Sequence, residues 1–285
     1  MTRKHIALAL LLVACCLALG NTVQAKDLLS QIKERGEIVI ATEARFAPFE
    51  MIEDGKIVGY AKDLMDSILK EGLPGVKLKQ LDLPYQGMLA GLNAKRFDFV
   101  CTSVTITKER MDKYAFTLPI STASVTIVKR ANDTSIKTAE DLVGKTVGIQ
   151  AGAAPYFAAL KEYEATVLKP KFGKGVAEVT EFIDNDEAYA ALAGGRVDAV
   201  VNTVPNLAPL VKKRPETFAI VMPPFGPPSY FAWVGRKDAD SASLVKFFSD
   251  GIAKRNKDGE MAKLQQKWFG FTMDVPSDKM PEPSI

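Results

Sequence analysis

The chain has 285 residues with 37 Lys and Arg against 34 Asp and Glu, a formal net charge of +3. A balance this close to neutral argues against nucleic acid as a partner. Its single histidine, His5, and two of its three cysteines, Cys15 and Cys16, fall near the N-terminus. If that segment is removed, His-based catalytic triads, the commonest zinc sites and an internal disulfide are all excluded.

The first element is a leader. Arg3, Lys4 and His5 make a basic start, Ile6 to Leu19 an apolar run, and Val23, Gln24 and Ala25 a small-residue cleavage site. That pattern is a secretory signal peptide, too short and wrongly flanked for a spanning helix. Cleavage after Ala25 is favoured over lipoprotein processing at Cys15, because the apolar run continues past that cysteine. The expected product is an exported protein that starts at Lys26, with charges almost balanced and Cys101 as its one thiol. Roughly 260 residues then remain, above the size at which one core ordinarily divides, so two lobes are expected.

Beyond the leader, strands and helices alternate. Glu37 to Thr42 reads as a buried strand, and the segment from Gly59 places Tyr60, Leu64, Ile68 and Leu69 at helical spacing. Val76 to Asp82 alternates as a strand, and Tyr85 to Ala94 forms a short helix. Further strands are expected at 145–150 and 198–202, with helices from about Pro155 and over 186–195. The pattern predicts α/β lobes with largely parallel sheets. "AGLNAKRFDFV" (90–100) and "AALAGGRVDAV" (190–200) echo each other: helix end, turn, arginine, apolar residue, aspartate, strand. The echo fits two similar lobes facing each other, and it also fits simple convergence of helix–turn–strand units. Both copies end in polar residues, "CTSVT" and "NTVPN", at the carboxyl ends of strands, where open α/β sheets bind ligands.

In "FDFVCTSVTITKER" a strand leaves the core through three hydroxyls and ends on Arg110 in the first turn of a helix. A cation is unfavourable there unless an anion lies nearby. On these residues alone, Arg110 serves a ligand or pairs with Glu109 or Asp112, with nothing to choose between them. Cys101 reads as a buried strand residue.

The motifs "RFAPFEMIEDGKIVGYAKDLM", "GLNAKRFDFVCTSVTITKER", "FTLPI", "LVGKTVGIQAG", "RVDAVVN" and "DGEMAKLQQKWFGF", in this order, are together specific. The chain resembles the periplasmic solute-binding proteins for polar amino acids (family 3), the receptors of ABC importers. The resemblance implies a type II binding-protein fold: two α/β lobes, two hinge strands and a ligand cleft closing between them. It divides the chain into signal 1–25, first lobe 26–122 plus 229–285, and second lobe 123–228. It also implies a monomeric receptor without metal or cofactor, whose partners are a small-molecule ligand and a membrane permease.

By the same resemblance, Arg110 grips the ligand's α-carboxylate through two parallel charge-assisted hydrogen bonds. Thr105 assists it, Ser103 takes the amino group, and Phe46 and Tyr85 sandwich the side chain. Glu43 is either a contact for a cationic tail or a solvated loop carboxylate, with Arg45 beside it. In the second lobe, relatives carry Gly-Thr where this chain has Gly152 and Ala153, so a hydroxyl is lost. The acid that pairs with the α-ammonium is replaced by Thr203. Either Glu43 or Asp184 takes over that charge, or the ligand is a carboxylate without an α-amino group. The competing class is a dehydratase-like enzyme on the same scaffold, whose acid or base would be Glu43, Glu50, Asp184 or one of a few others, with nothing to mark one out. A sensing domain is a third reading, weakened by the absence of a signalling module after "KWFGF".

Overall fold

The computed structural model describes residues 26–283. The expected leader therefore lies outside the described residues. No helix among them is long and apolar enough to cross a membrane.

The first half alternates as its patterning requires. Helix α1 (Leu28–Arg35) is capped by Asp27, which accepts from the Ser30 N–H at 3.0 Å, and it ends at Gly36 in the left-handed region. Strand β1 (Glu37–Thr42) follows. A small antiparallel sheet comes next, made of β2 (Arg45–Phe46), β3 (Glu50–Glu53) and β4 (Lys56–Val58). Helix α2 (Tyr60–Gly72) buries Tyr60, Leu64, Ile68 and Leu69, the stripe expected from its spacing, together with Ala61 and Met65. It can start only after a glycine. Gly59 has φ +132°, and a Cβ there would lie 2.3 Å from the Phe49 carbonyl oxygen.

Strand β5 (Lys77–Asp82), helix α3 (Met88–Asn93), strand β6 (Phe99–Thr105), helix α4 (Lys108–Lys113) and strand β7 (Tyr114–Thr122) complete this half. The chain then enters a second sheet with β8 (Val125–Arg130), β9 (Thr146–Gln150), β10 (Glu178–Phe182), β11 (Ala199–Thr203) and β12 (Phe218–Val221). Its helices are α5 (Ala154–Tyr163), α6 (Lys169–Phe172), α7 (Asn185–Ala193) and α8 (Val204–Lys213). It returns to the first sheet through β13 (Tyr230–Arg236) and closes with α9 (Ala242–Lys257) and α10 (Glu260–Phe269).

The two sheets have the orders β5-β1-β6-β13-β7 and β10-β9-β11-β8-β12. Their first three strands run parallel, as the alternation predicts. The fourth strand of each, β13 or β8, runs antiparallel to both its neighbours, so each sheet is mixed. The reason is connectivity: β8 and β13 begin at the crossings between the sheets instead of following a helix of their own sheet. At those crossings the Ala123 N–H donates to the Ser229 carbonyl, and the Ser229 hydroxyl donates to the Ala123 carbonyl, both at 2.7 Å.

The sequence echo is an echo in hydrogen bonding. The Asp98 N–H donates to the Val39 carbonyl at 2.8 Å, and its carboxylate accepts from the Val39 N–H at 2.7 Å. One hundred positions later, Asp198 makes the same two bonds to Thr146, at 2.8 and 2.9 Å. Arg236, ending β13, donates to the Phe97 carbonyl, and Arg130, ending β8, donates to the Val197 carbonyl. Each aspartate thus clasps the start of its helix-linked strand to the neighbouring strand. Asp98→Ala and Asp198→Ala each leave a backbone N–H without its acceptor, so each is expected to cost about 1–3 kcal/mol. Urea unfolding checks this, and a midpoint unmoved in both variants would remove the clasp from the account.

Candidate functional site

The carboxyl ends of β1, β6 and β9 converge on one cavity. From the first lobe it is lined by Glu43, just past β1, Phe46 on β2, Tyr85 before α3, Ser103 and Thr105 at the end of β6, and Arg110 on α4. The second lobe contributes Gln150 at the end of β9 and Ala153, Pro155 and Tyr156 around the start of α5. The cavity measures only about 10 Å³, space for one water. The lobes are shut on each other.

Each wall has a local cause. Thr107 caps α4 and accepts from the Arg110 N–H at 3.1 Å, which sets the arginine on the first turn. Its guanidinium donates to the Thr105 carbonyl at 3.2 Å and lies 5.9 Å from the centre of the Tyr85 ring. Phe46 stacks on Phe49, centroids 5.5 Å apart, with the edge of Phe231 against it. The Ser103 hydroxyl is buried and has no protein partner. Gly152 does not line the cavity. It sits at φ +83°, where a Cβ would come within 3.4 Å of Tyr85 and Gln86, so it lets the second lobe approach Tyr85 closely.

A chain of amides runs behind the cavity. Gln150 donates to the Glu43 carboxyl, Asn185 donates to Gln150, and Asn202 donates to Asn185 and to the Tyr189 hydroxyl. The Thr203 N–H donates to Asn202, the Thr203 hydroxyl to Asn206, and the Asn206 amide to the Ala47 carbonyl. The circuit starts and ends in the first lobe and passes through the second. Thr203 is fully buried within it and does not line the cavity. Asp184 is engaged elsewhere: it caps α7 and lies 3.7 Å from Arg45.

Two carboxyls are shut in beside this circuit. Glu43 is 2% exposed and Glu50, opening β3, is 0% exposed. Burial pushes the Glu43 carboxyl up to about 8, with the Asp184 charge adding to the effect and the Gln150 hydrogen bond opposing it. Burial pushes Glu50 well above the carboxylate range, reinforced by Glu43. Thr102 donates to one Glu50 oxygen at 3.3 Å and the other has no partner. Cys101, next on β6, is a buried thiol whose ionisation is likewise suppressed by burial.

Gln150 and Tyr156 were not singled out from the sequence. The strand-end rule that marked "CTSVT" applies equally to Gln150 at the end of "KTVGIQ". Tyr156, in the first turn of a plain apolar helix, carries no comparable signal.

Residues 38–271 match the family described as bacterial extracellular solute-binding proteins, family 3. The chain belongs to this family. It is a family of binding proteins rather than enzymes, and this member has the type II two-lobed fold. It is 32% identical to the L-cystine-binding protein TcyJ of Escherichia coli K12 over 263 residues, 90% of this chain and 93% of that one. Among solved structures it resembles an ArgBP variant from T. maritima, with TM-score 0.73 and 31% identity, covering 85% of this chain and 99% of that one. An ancestral amino acid-binding protein described as a precursor of cyclohexadienyl dehydratase matches with TM-score 0.72 and 29% identity, covering 85% and 99%.

The buried carboxyls give this binding protein a pH signature. Glu43 and Glu50 hold their protons more tightly folded than unfolded. Their contribution to stability is whole below the unfolded value of 4.5 and is lost as pH rises, through about 8 for Glu43. The Glu50→Gln variant cannot ionise there. Urea titrations from about pH 5 to 8 should show stability falling less in the variant than in the wild type. Parallel profiles would mean that Glu50 is charged in the folded protein.

Proposed function

We propose that this chain is the monomeric receptor of an ABC importer, exported to the periplasm through a cleaved leader, and that it captures a polar L-amino acid for a membrane permease. The observation that carries the reading is one cavity, closed over by both lobes, with a guanidinium, two hydroxyls and an acid facing inward. Arg110 serves as the carboxylate anchor, with Thr105 beside it. Ser103, whose buried hydroxyl has no other partner, takes the ligand's amino group. Phe46 and Tyr85 flank the ligand's side chain. The lobes comprise residues 26–122 plus 229–285 and residues 123–228, and they turn about the bonded crossings at Ala123 and Ser229. L-Cystine is the first ligand to test, since TcyJ of Escherichia coli and TcyA of Bacillus subtilis both carry it in their names. L-Arginine is the second, after ArtP of Bacillus subtilis.

The charge that Thr203 cannot supply is assigned to Glu43. Thr203 bonds to Asn206 and Asp184 is drawn toward Arg45, while Glu43 faces the cavity with only an amide on it. An ammonium beside it would ionise the carboxyl and replace the lost acid.

Arg110→Ala should lose two charge-assisted hydrogen bonds, about 3 kcal/mol, or roughly a hundredfold in affinity. Titration calorimetry with L-cystine and L-arginine reads it, and near-normal affinity in a folded variant would end the anchor assignment. Glu43→Gln should weaken the bound amino acid by about tenfold or more while leaving its deaminated analogue little changed. If both ligands lose equally, Glu43 does not meet the ammonium.

A further inference from the structure

A much larger cavity, about 330 Å³, lies between the lobes on the other side of Phe46. The first lobe contributes Phe46, Met51 and Trp268 to its wall, and the second contributes Tyr189 and Leu210. Both large aromatic walls are held in place. The Trp268 indole N–H donates to Asp63 at 2.8 Å, and the Tyr189 hydroxyl accepts from Asn202 at 2.8 Å. Such a volume, with apolar walls and polar groups around them, is what small-molecule sites offer.

The polar groups at its rim are unequal. Arg45 is neutralised by Asp82 at 3.0 Å and by Asp184. Asp186, in the first turn of α7, couples electrostatically to that same Arg45 and Asp184 cluster. Lys213 and Arg214, at the other end of α8, also line the cavity, and Lys212 beside them lines an adjoining hollow that shares Lys213 and Trp268. The ion pairs of this face among the described residues are those of Arg45 and of Lys267 with Asp63, and neither Lys213 nor Arg214 takes part in one. Two exposed cations outside any ion pair, Lys213 and Arg214, therefore line the cavity, Arg214 also lying 4.7 Å over the Phe218 ring, while the Asp186 carboxylate lines the same cavity beside Arg45.

We propose that this interlobe cavity is a second ligand site, separate from the amino-acid cleft, for an aromatic monoanion whose ring lies among Phe46, Met51, Trp268, Tyr189 and Leu210 and whose charge meets Lys213 and Arg214. Because its walls come from both lobes, an occupant contacts the closed arrangement more extensively than an open one and shifts the lobes toward closure. By linkage it also tightens the amino-acid cleft.

Indole-3-acetate is the probe, titrated by calorimetry into the full chain. One saturable site is expected, with the neutral analogue indole-3-ethanol binding about tenfold or more weakly. Leu210→Trp and Met51→Trp fill the cavity from opposite lobes, and Lys213→Glu with Arg214→Glu reverses its charge. Each should weaken indole-3-acetate by about tenfold or more, while Arg110→Ala leaves it unchanged. Absence of saturable heat in the wild type, or wild-type affinity in either folded filling variant or in the charge-reversed one, overturns the proposal. So does loss of binding in Arg110→Ala, which would put the probe in the amino-acid cleft.

Discussion

A carboxyl group closed off from water must keep its proton or meet a positive charge. Glu43 and Glu50 impose that condition on the centre of this molecule, and the surrounding polar groups are oriented by it. Gln150 points its N–H at Glu43, which leaves its carbonyl to accept from Asn185, whose own carbonyl then accepts from Asn202. An acceptor at the head of the chain fixes the direction of the three amides behind it, Gln150, Asn185 and Asn202, while the Ala47 carbonyl orients Asn206 from the other end. The series ends on the Ala47 carbonyl, back in the lobe where it began. Closure of the lobes is thus a matter of satisfying polar groups as well as of apolar contact.

The lobes share a frame and differ at its edge. Both sheets have the same layout once the strand entering from a crossing, β13 or β8, is set in fourth place, and in each an aspartate and an arginine secure the middle strand in the same way. The difference lies at the carboxyl ends. β6 finishes on Ser103 and Thr105, which open onto the cleft, whereas β11 finishes on Asn202 and Thr203, which turn inward to the amide chain. One lobe therefore presents its strand end to the cleft, and the other uses the equivalent end to support Gln150.

Much of this was legible before any coordinates. The stripe Tyr60, Leu64, Ile68 and Leu69 names a helix because its signal is local, whereas the repeated arginine–apolar–aspartate turn, equally local, fits convergent helix–turn–strand units as well as two similar lobes. Arg110, Thr105, Ser103, Phe46 and Tyr85, which line the cavity, are residues that the family resemblance points to, and all but Tyr85 lie within the motifs that carry it. What stayed hidden depends on distance. The antiparallel pairing of β13 joins residues more than a hundred positions apart, as does the bond from Gln150 to Glu43. Glu50, within "FEMIEDG", has the composition of a solvated hairpin, and only its tertiary neighbours make it one of the most enclosed acids in the chain. Thr203 was prominent as a missing acid, but its side chain turned out to belong to the internal circuit.

The return of the chain through β13 has a temporal consequence. That strand sits between β6 and β7, so the first sheet has a gap until residues 230–236 are available. All strands of the second sheet lie in the uninterrupted span 125–221. A polypeptide delivered amino end first, whether from a ribosome or through a secretion channel, has every strand of its second sheet in hand while its first still lacks its keystone. The lobe that begins the chain is the last to be finished.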